Sequence, residues 1–118
     1  MTQSFFSAIK RQHLQVALND LRDPSPSRRT EAAAVIRDLA GDLAGLLPAT
    51  AGMLVISALL ETEEEPYEQA LHTLVELSVR SPIPLSVLEP LRTIEPTTAW
   101  EVEYIADIFE NASYGPPP

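Results

Sequence analysis

The chain has no cysteine, four glycines and eight basic residues against seventeen acids in 118 positions. Each shortage excludes something. Without cysteine there is no disulfide, no thiolate nucleophile and no cysteine-ligated zinc or iron–sulfur site. Four glycines leave little from which to build a phosphate cradle, and neither Gly-x-x-x-x-Gly-Lys-Ser/Thr nor Gly-x-Gly-x-x-Gly occurs. There is no Gly-x-Ser-x-Gly nucleophile elbow either. The expectation is a non-enzymatic protein that uses no cofactor. No apolar run approaches the roughly 18–20 residues of a membrane span. The longest, Met53 to Leu60, is interrupted by Ser57 and ends at Glu61. At the N-terminus, Lys10 and Arg11 follow Phe5 and Phe6 rather than precede them, the reverse of a signal peptide. A cytoplasmic protein without a membrane partner is therefore expected.

The scarcity of cations is uneven. Residues 1–60 hold six basic side chains and five acids; residues 61–118 hold Arg80 and Arg92 against twelve acids. The first half is nearly neutral and the second carries almost the whole net charge of −9. Nucleic-acid binding needs clustered cations to displace phosphate counterions, so it is not expected. An acidic surface attracts a basic protein and speeds encounter with it. The alternative is that the acids only keep the protein soluble.

What is present is apolar periodicity cut by eleven prolines, with 45% hydrophobic residues. No segment alternates as a strand does. The pattern predicts an all-α chain of about six helices, with prolines at the boundaries. A first helix spans about Ser4 to Arg22, with Phe6, Ile9, His13, Val16 and Leu21 near helical spacing and Leu14, Ala17 and Leu18 widening the stripe. Asp23-Pro24-Ser25-Pro26 stops it and opens a second, with Ser25 as N-cap and Gly41 as the stop. Residues 42–48 are either a short helical turn or a connector. Ala49 to Glu61 is apolar nearly all round, which predicts the most buried helix. Pro66 begins a fourth helix with Ala70, Leu71, Leu74 and Leu77 inward. Leu85 to Ile94 is a short one, kinked or split by Pro90. Thr98-Ala99-Trp100-Glu101 has capping-box spacing and opens the last. Residues 1–112 read as one domain and 113–118 as a disordered tail.

Three helical phrases share a type order of apolar, variable, acidic, apolar: Ile36-Arg37-Asp38-Leu39, Leu74-Val75-Glu76-Leu77 and Ile105-Ala106-Asp107-Ile108. They recur 38 and 31 residues apart. A period in that range predicts stacked helix pairs, a short α-solenoid. On Arg29 to Ala40 with Leu46 to Leu60, and on Tyr67 to Ser78 with Leu85 to Ile94, the chain resembles HEAT-type repeats. Trp100 to Phe109 then looks like a third first-helix without its partner. Size, acidity and the absence of a catalytic motif also resemble small acidic bacterial immunity proteins of this helical type. That resemblance implies neutralisation of a basic toxin, such as a nuclease, by occlusion of its active site. The alternative is a scaffold or adaptor in a bacterial complex, or a self-associating homodimer.

The last helix is the leading site candidate. At 100° per residue, Val102, Ile105, Ala106, Phe109 and Ala112 share an inward face. Trp100, Glu103, Asp107 and Glu110 fall opposite, with Tyr104 at the border, so an aromatic and several carboxylates are expected outside together. Alternatively Trp100 folds back on Ile94-Glu95-Pro96. The second candidate is the run Glu63, Glu64 and Glu65, a docking loop for a basic surface or a solvated helix start. Glu68, His72 and Glu76 share a helix face, but no second helix supplies matching ligands, so they read as a polar stripe rather than a metal site.

Overall fold

Proline and acid placement set most helix starts. A computed structural model of the chain describes residues 2–112, with side chains from residue 8 onward. The tail expected at 113–118 lies outside the described residues. Helix α1 spans Thr2–Asp20, α2 Pro26–Asp38, α3 Leu47–Leu60, α4 Glu64–Arg80, α5 Leu85–Leu88 and α6 Ala99–Glu110. Short 3₁₀ turns occupy Ala40–Asp42, Ala44–Leu46 and Glu89–Thr93. All regular elements among the described residues are helical, as the periodicity predicts.

Several boundaries moved for identifiable reasons. Ser25 precedes α2 but makes no side-chain cap. Its backbone N–H instead donates to Asp23 Oδ1 at 2.9 Å. Gly41 sits inside a 3₁₀ turn, and the positive φ belongs to Ala44 at 46°. Residues 42–48 are therefore mostly turn, and α3 begins at Leu47, before the expected Ala49. Helix α4 starts two residues ahead of Pro66, which fits because proline is tolerated in a first turn. Pro90 does split its segment, into α5 and a 3₁₀ turn.

Helices α2, α4 and α6 lie side by side, with α4 in the middle. Helix α1 packs on α2, and α3 packs on both α4 and α5. The molecule is only 17 Å thick along its shortest axis, against 48 and 39 Å for the others. That thickness holds two layers of helices spaced about 8–10 Å apart.

Side-chain bonds and ring contacts join neighbouring helices. Arg37 Nη1 donates to Gln69 Oε1 at 2.8 Å, and the buried Thr73 hydroxyl donates to the Ala33 carbonyl at 2.9 Å. Between α4 and α6, Tyr67 reaches Glu101, His72 stacks on Tyr104, and Asn111 reaches Ser78. The sequence offset stays near constant along that seam, so α4 and α6 run in the same direction. The helix pairs named from the resemblance are not the closest ones. Among helices consecutive in sequence, the tight pairs are α1 with α2 and α3 with α4. Only a few residues link each of these, which forces adjacent helices to fold back on one another. The two 3₁₀ turns between α2 and α3 carry α3 away from α2.

Helix α3 is buried on one side and exposed on the other. Leu47, Thr50, Ala51, Leu54, Val55 and Ala58 are buried, but Ile56, Leu59 and Leu60 are 46%, 38% and 76% exposed. Helix α4, with neighbours on three sides, buries Ala70, Leu71, Thr73, Leu74, Leu77 and Ser78. In α1 the inward positions are Leu14, Ala17 and Leu21, while His13 is exposed and Val16 is 54% exposed. The Phe6 side chain lies outside those described.

Candidate functional site

The first residue of the site to consider is one the sequence treats only as a helix cap. Thr98 Oγ1 accepts the Glu101 backbone N–H at 3.3 Å, and Glu101 Oε1 accepts the Thr98 N–H at 3.1 Å, so the capping box forms. The same Oε1 also accepts from the Thr97 N–H and from the Thr97 and Thr98 hydroxyls. Oε2 accepts the Tyr67 hydroxyl of α4 at 2.7 Å. Glu101 is buried, and it fixes the start of α6 against the start of α4. Burial alone raises the Glu101 carboxyl, but the Tyr67 and Thr97–Thr98 bonds outweigh it and hold the group below its ordinary range. Burial and the adjacent carboxylate push the Tyr67 phenol well above its ordinary value.

This anchor decides where Trp100 goes. Its ring meets Tyr67 edge-on at 5.7 Å and Tyr104 edge-on at 5.6 Å, and Tyr104 stacks on His72 at 5.7 Å. Trp100 and Tyr104 are half-buried along the α4–α6 seam. This corrects the expectation that Trp100 stands free on an outer face. The predicted inward face is rotated as well. Glu101, Ile108 and Ala112 are buried, whereas Val102 is 54% exposed and Ala106 is exposed. Helical periodicity fixes the stripe, but the cap geometry at Glu101 fixes which side of it meets α4. Glu103 and Glu110 are exposed as expected, and Asp107 is half-buried. Phe109 packs under the Arg92 guanidinium at 4.3 Å, and Arg92 pairs with Glu89 at 2.8 Å.

Glu63, Glu64 and Glu65 are exposed, and none forms an ion pair within 4 Å among the described residues. Glu64 and Glu65 occupy the first turn of α4, where the helix dipole favours them. Glu61, two residues earlier, behaves differently. Its carboxylate takes Arg29 in a two-bond fork at 2.8 and 3.0 Å. It also accepts the Thr62 and Glu63 N–H groups, and its side chain is 3% exposed. Arg29 in turn donates to the Asp23 and Pro24 carbonyls, so one ion pair joins the α1–α2 and α3–α4 connections. Burial raises the Glu61 carboxyl, but Arg29 and the two backbone donors lower it further, and the net direction is down.

Two stretches proposed separately from sequence meet here. A shallow groove of about 320 Å³ is lined by Glu63, Glu64, Tyr67, Thr97 and Trp100, with Glu61 and Glu101 at its base. Exposed acids and an aromatic edge therefore share one surface. Glu103 and Glu110 extend the acidic character along α6, but Glu65 is not among the groove's lining residues. Sequence reasoning missed Tyr67, Thr97 and the inward turn of Glu61. Only the Thr98–Glu101 spacing carried a signal, and it said nothing of the partner on α4.

The Glu68–His72–Glu76 face holds His72 Nε2 4.0 Å from Glu76 Oε1, while Nδ1 lies 3.2 Å from Arg37 Nη1. A cation at Nδ1 opposes metal binding there, and no group of three metal-ligating side chains assembles among the described residues. Among these residues no helix is long and apolar enough to cross a membrane. Comparison of the chain with protein-family models, with curated proteins and with solved structures finds no match.

Proposed function

We propose that this chain is a non-enzymatic binding module that neutralises a basic protein by laying the acidic groove at the start of α4 and α6 over the target's active site. The observation that carries this reading is the meeting of Glu63, Glu64 and Trp100 on one open surface. Unpaired carboxylates attract cations at long range, and a packed aromatic edge gives the contact a rigid anchor. Glu61 and Glu101 hold the groove floor through their own hydrogen bonds, so the rim acids need not reorganise to bind. Glu103, Tyr104, Asp107 and Glu110 continue the contact along α6, and Glu65 adds to its field.

The architecture that serves this role is a short α-solenoid similar to HEAT repeats, with α2, α4 and α6 as successive equivalents. The 32- to 40-residue spacing of the rungs Arg37–Gln69, Ala33–Thr73 and Tyr67–Glu101 supports that reading. So does its agreement with the 38- and 31-residue spacing of the recurring phrase.

The test starts with the protein encoded beside this chain, as the partner of an immunity protein is its toxin. Charge reversal at Glu63 and Glu64 should slow association by about tenfold or more and flatten its salt dependence. Trp100→Ala should act mainly on dissociation. Binding that survives all three substitutions removes this groove from the interface.

A further inference from the structure

The groove between the starts of α4 and α6 is lined by Glu61, Glu63, Glu64 and Glu101 but by no lysine, arginine or histidine. The two floor carboxylates are already occupied. Glu61 accepts from Arg29 and from the Thr62 and Glu63 N–H groups, and Glu101 accepts from Tyr67, Thr97 and Thr98. Arg29, the cation beside this floor, is committed to Glu61 and to the Asp23 and Pro24 carbonyls. Glu63 and Glu64 are exposed and form no ion pair among the described residues. The facing wall is aromatic. Trp100 is half-buried, and Tyr67 and Tyr104 brace its ring at 5.7 and 5.6 Å, so it is fixed before a partner arrives.

The chain itself shows what such a set of groups holds. Further along α6, the Arg92 guanidinium lies over the Phe109 ring at 4.3 Å while its Nε donates to Glu89 at 2.8 Å. Arg29 meets Glu61 through two bonds at once. Ring face and carboxylate are the two surfaces this chain gives to a guanidinium. The groove offers both, in Trp100 and the Glu63–Glu64 pair, and its lining supplies no cation.

Shape and hydration choose among cations. A volume of about 320 Å³ is at the low end of ligand pockets, room for one side chain and not for a helix. The groove is shallow and open to water. An ammonium ion keeps its tight hydration shell there and gains little. A guanidinium is planar and weakly hydrated, stacks on an indole and forks onto a carboxylate without needing a dry site.

We infer that the groove is a socket for one arginine side chain of the basic partner, its guanidinium laid against Trp100 and its N–H groups turned to Glu63 and Glu64. This rests on the groove being the contact surface, and it names the residue the partner presents there.

Trp100 is the single tryptophan of the chain, so its fluorescence reports on this groove. The probe is the end-blocked tripeptide Gly-Arg-Gly, titrated into the full chain beside its Gly-Lys-Gly counterpart. The arginine peptide should change Trp100 emission saturably in the millimolar range, and the lysine peptide should bind about threefold more weakly or worse. The Glu63→Gln, Glu64→Gln double variant should weaken arginine-peptide binding about threefold or more, whereas Glu31→Gln, exposed on α2 outside the groove, should leave it unchanged. No saturable change, an equal response to both peptides, or a response indifferent to the double variant overturns the inference. Failure here is distinct from failure of the wider reading. Partner capture that depends on Glu63 and Glu64 without arginine-peptide binding removes the socket and leaves the acidic contact in place.

Discussion

Glu101 and Glu61 are the two side chains on which the local geometry turns. Both are carboxylates held below their ordinary range by donors that outweigh burial. The stability each contributes is present above the ordinary carboxyl range. It is lost as pH falls through the depressed folded values. Unfolding free energy measured against pH should therefore fall on the acid side below about pH 4.5, and a Glu61→Gln, Glu101→Gln double variant should flatten that fall. Glu101→Ala should cost about 2–4 kcal/mol in denaturant unfolding, since it removes a cap and leaves the Tyr67 hydroxyl without its acceptor. Ala44, held at φ 46°, is a residue-scale strain of the opposite kind. Left-handed geometry costs a non-glycine residue about 1–2 kcal/mol, and glycine returns part of that as unfolded-chain entropy. Ala44→Gly should accordingly stabilise the protein by up to about 1 kcal/mol, read from the urea midpoint.

At the scale of elements, one buried rung joins α2 to α4. The Thr73 hydroxyl is the donor to the Ala33 carbonyl, and Thr73 is fully buried. Thr73→Val keeps shape and loses the bond, so a loss of about 1–2 kcal/mol is expected in the same unfolding experiment. Gly52 marks the close approach of α3 and α5. A Cβ built there would lie 3.8 Å from Val87, an ordinary contact, and its φ is not positive. Gly52→Ala should therefore raise stability by about 0.5–1 kcal/mol through helix propensity alone. Element identity was largely legible in the sequence, because proline, cap residues and 3.6-residue periodicity act locally. The orientation of α6 was not. The predicted face was centred between Val102 and Ala112, whereas the buried one is turned toward Ile108, keeping Ala112 and exposing Val102 and Ala106. Bonds to Thr97, Thr98 and Tyr67 select between them.

For the whole molecule, charge and shape act together. Acids crowd the second half of the sequence, and the fold brings Glu63 and Glu64 beside Trp100 from a distance of more than thirty residues. Raising ionic strength should slow capture of a basic partner, read as the association rate across a salt series. The apolar helix α3 is the clearest case of composition misleading on burial. An apolar helix is buried only where neighbours exist, and α3 packs chiefly on α4 and α5, which leaves Ile56, Leu59 and Leu60 exposed.

The sequence alone determined the helical class, the sites of its breaks and the sign and location of its charge, because these depend on neighbours a few residues apart. Tertiary structure decided which helices fold back on each other, that Glu61 turns inward to Arg29, and that Trp100 packs on Tyr67 beside free acids. Those outcomes depend on connection geometry and on hydrogen bonds between residues 32 to 34 positions apart, whose partners no local pattern names.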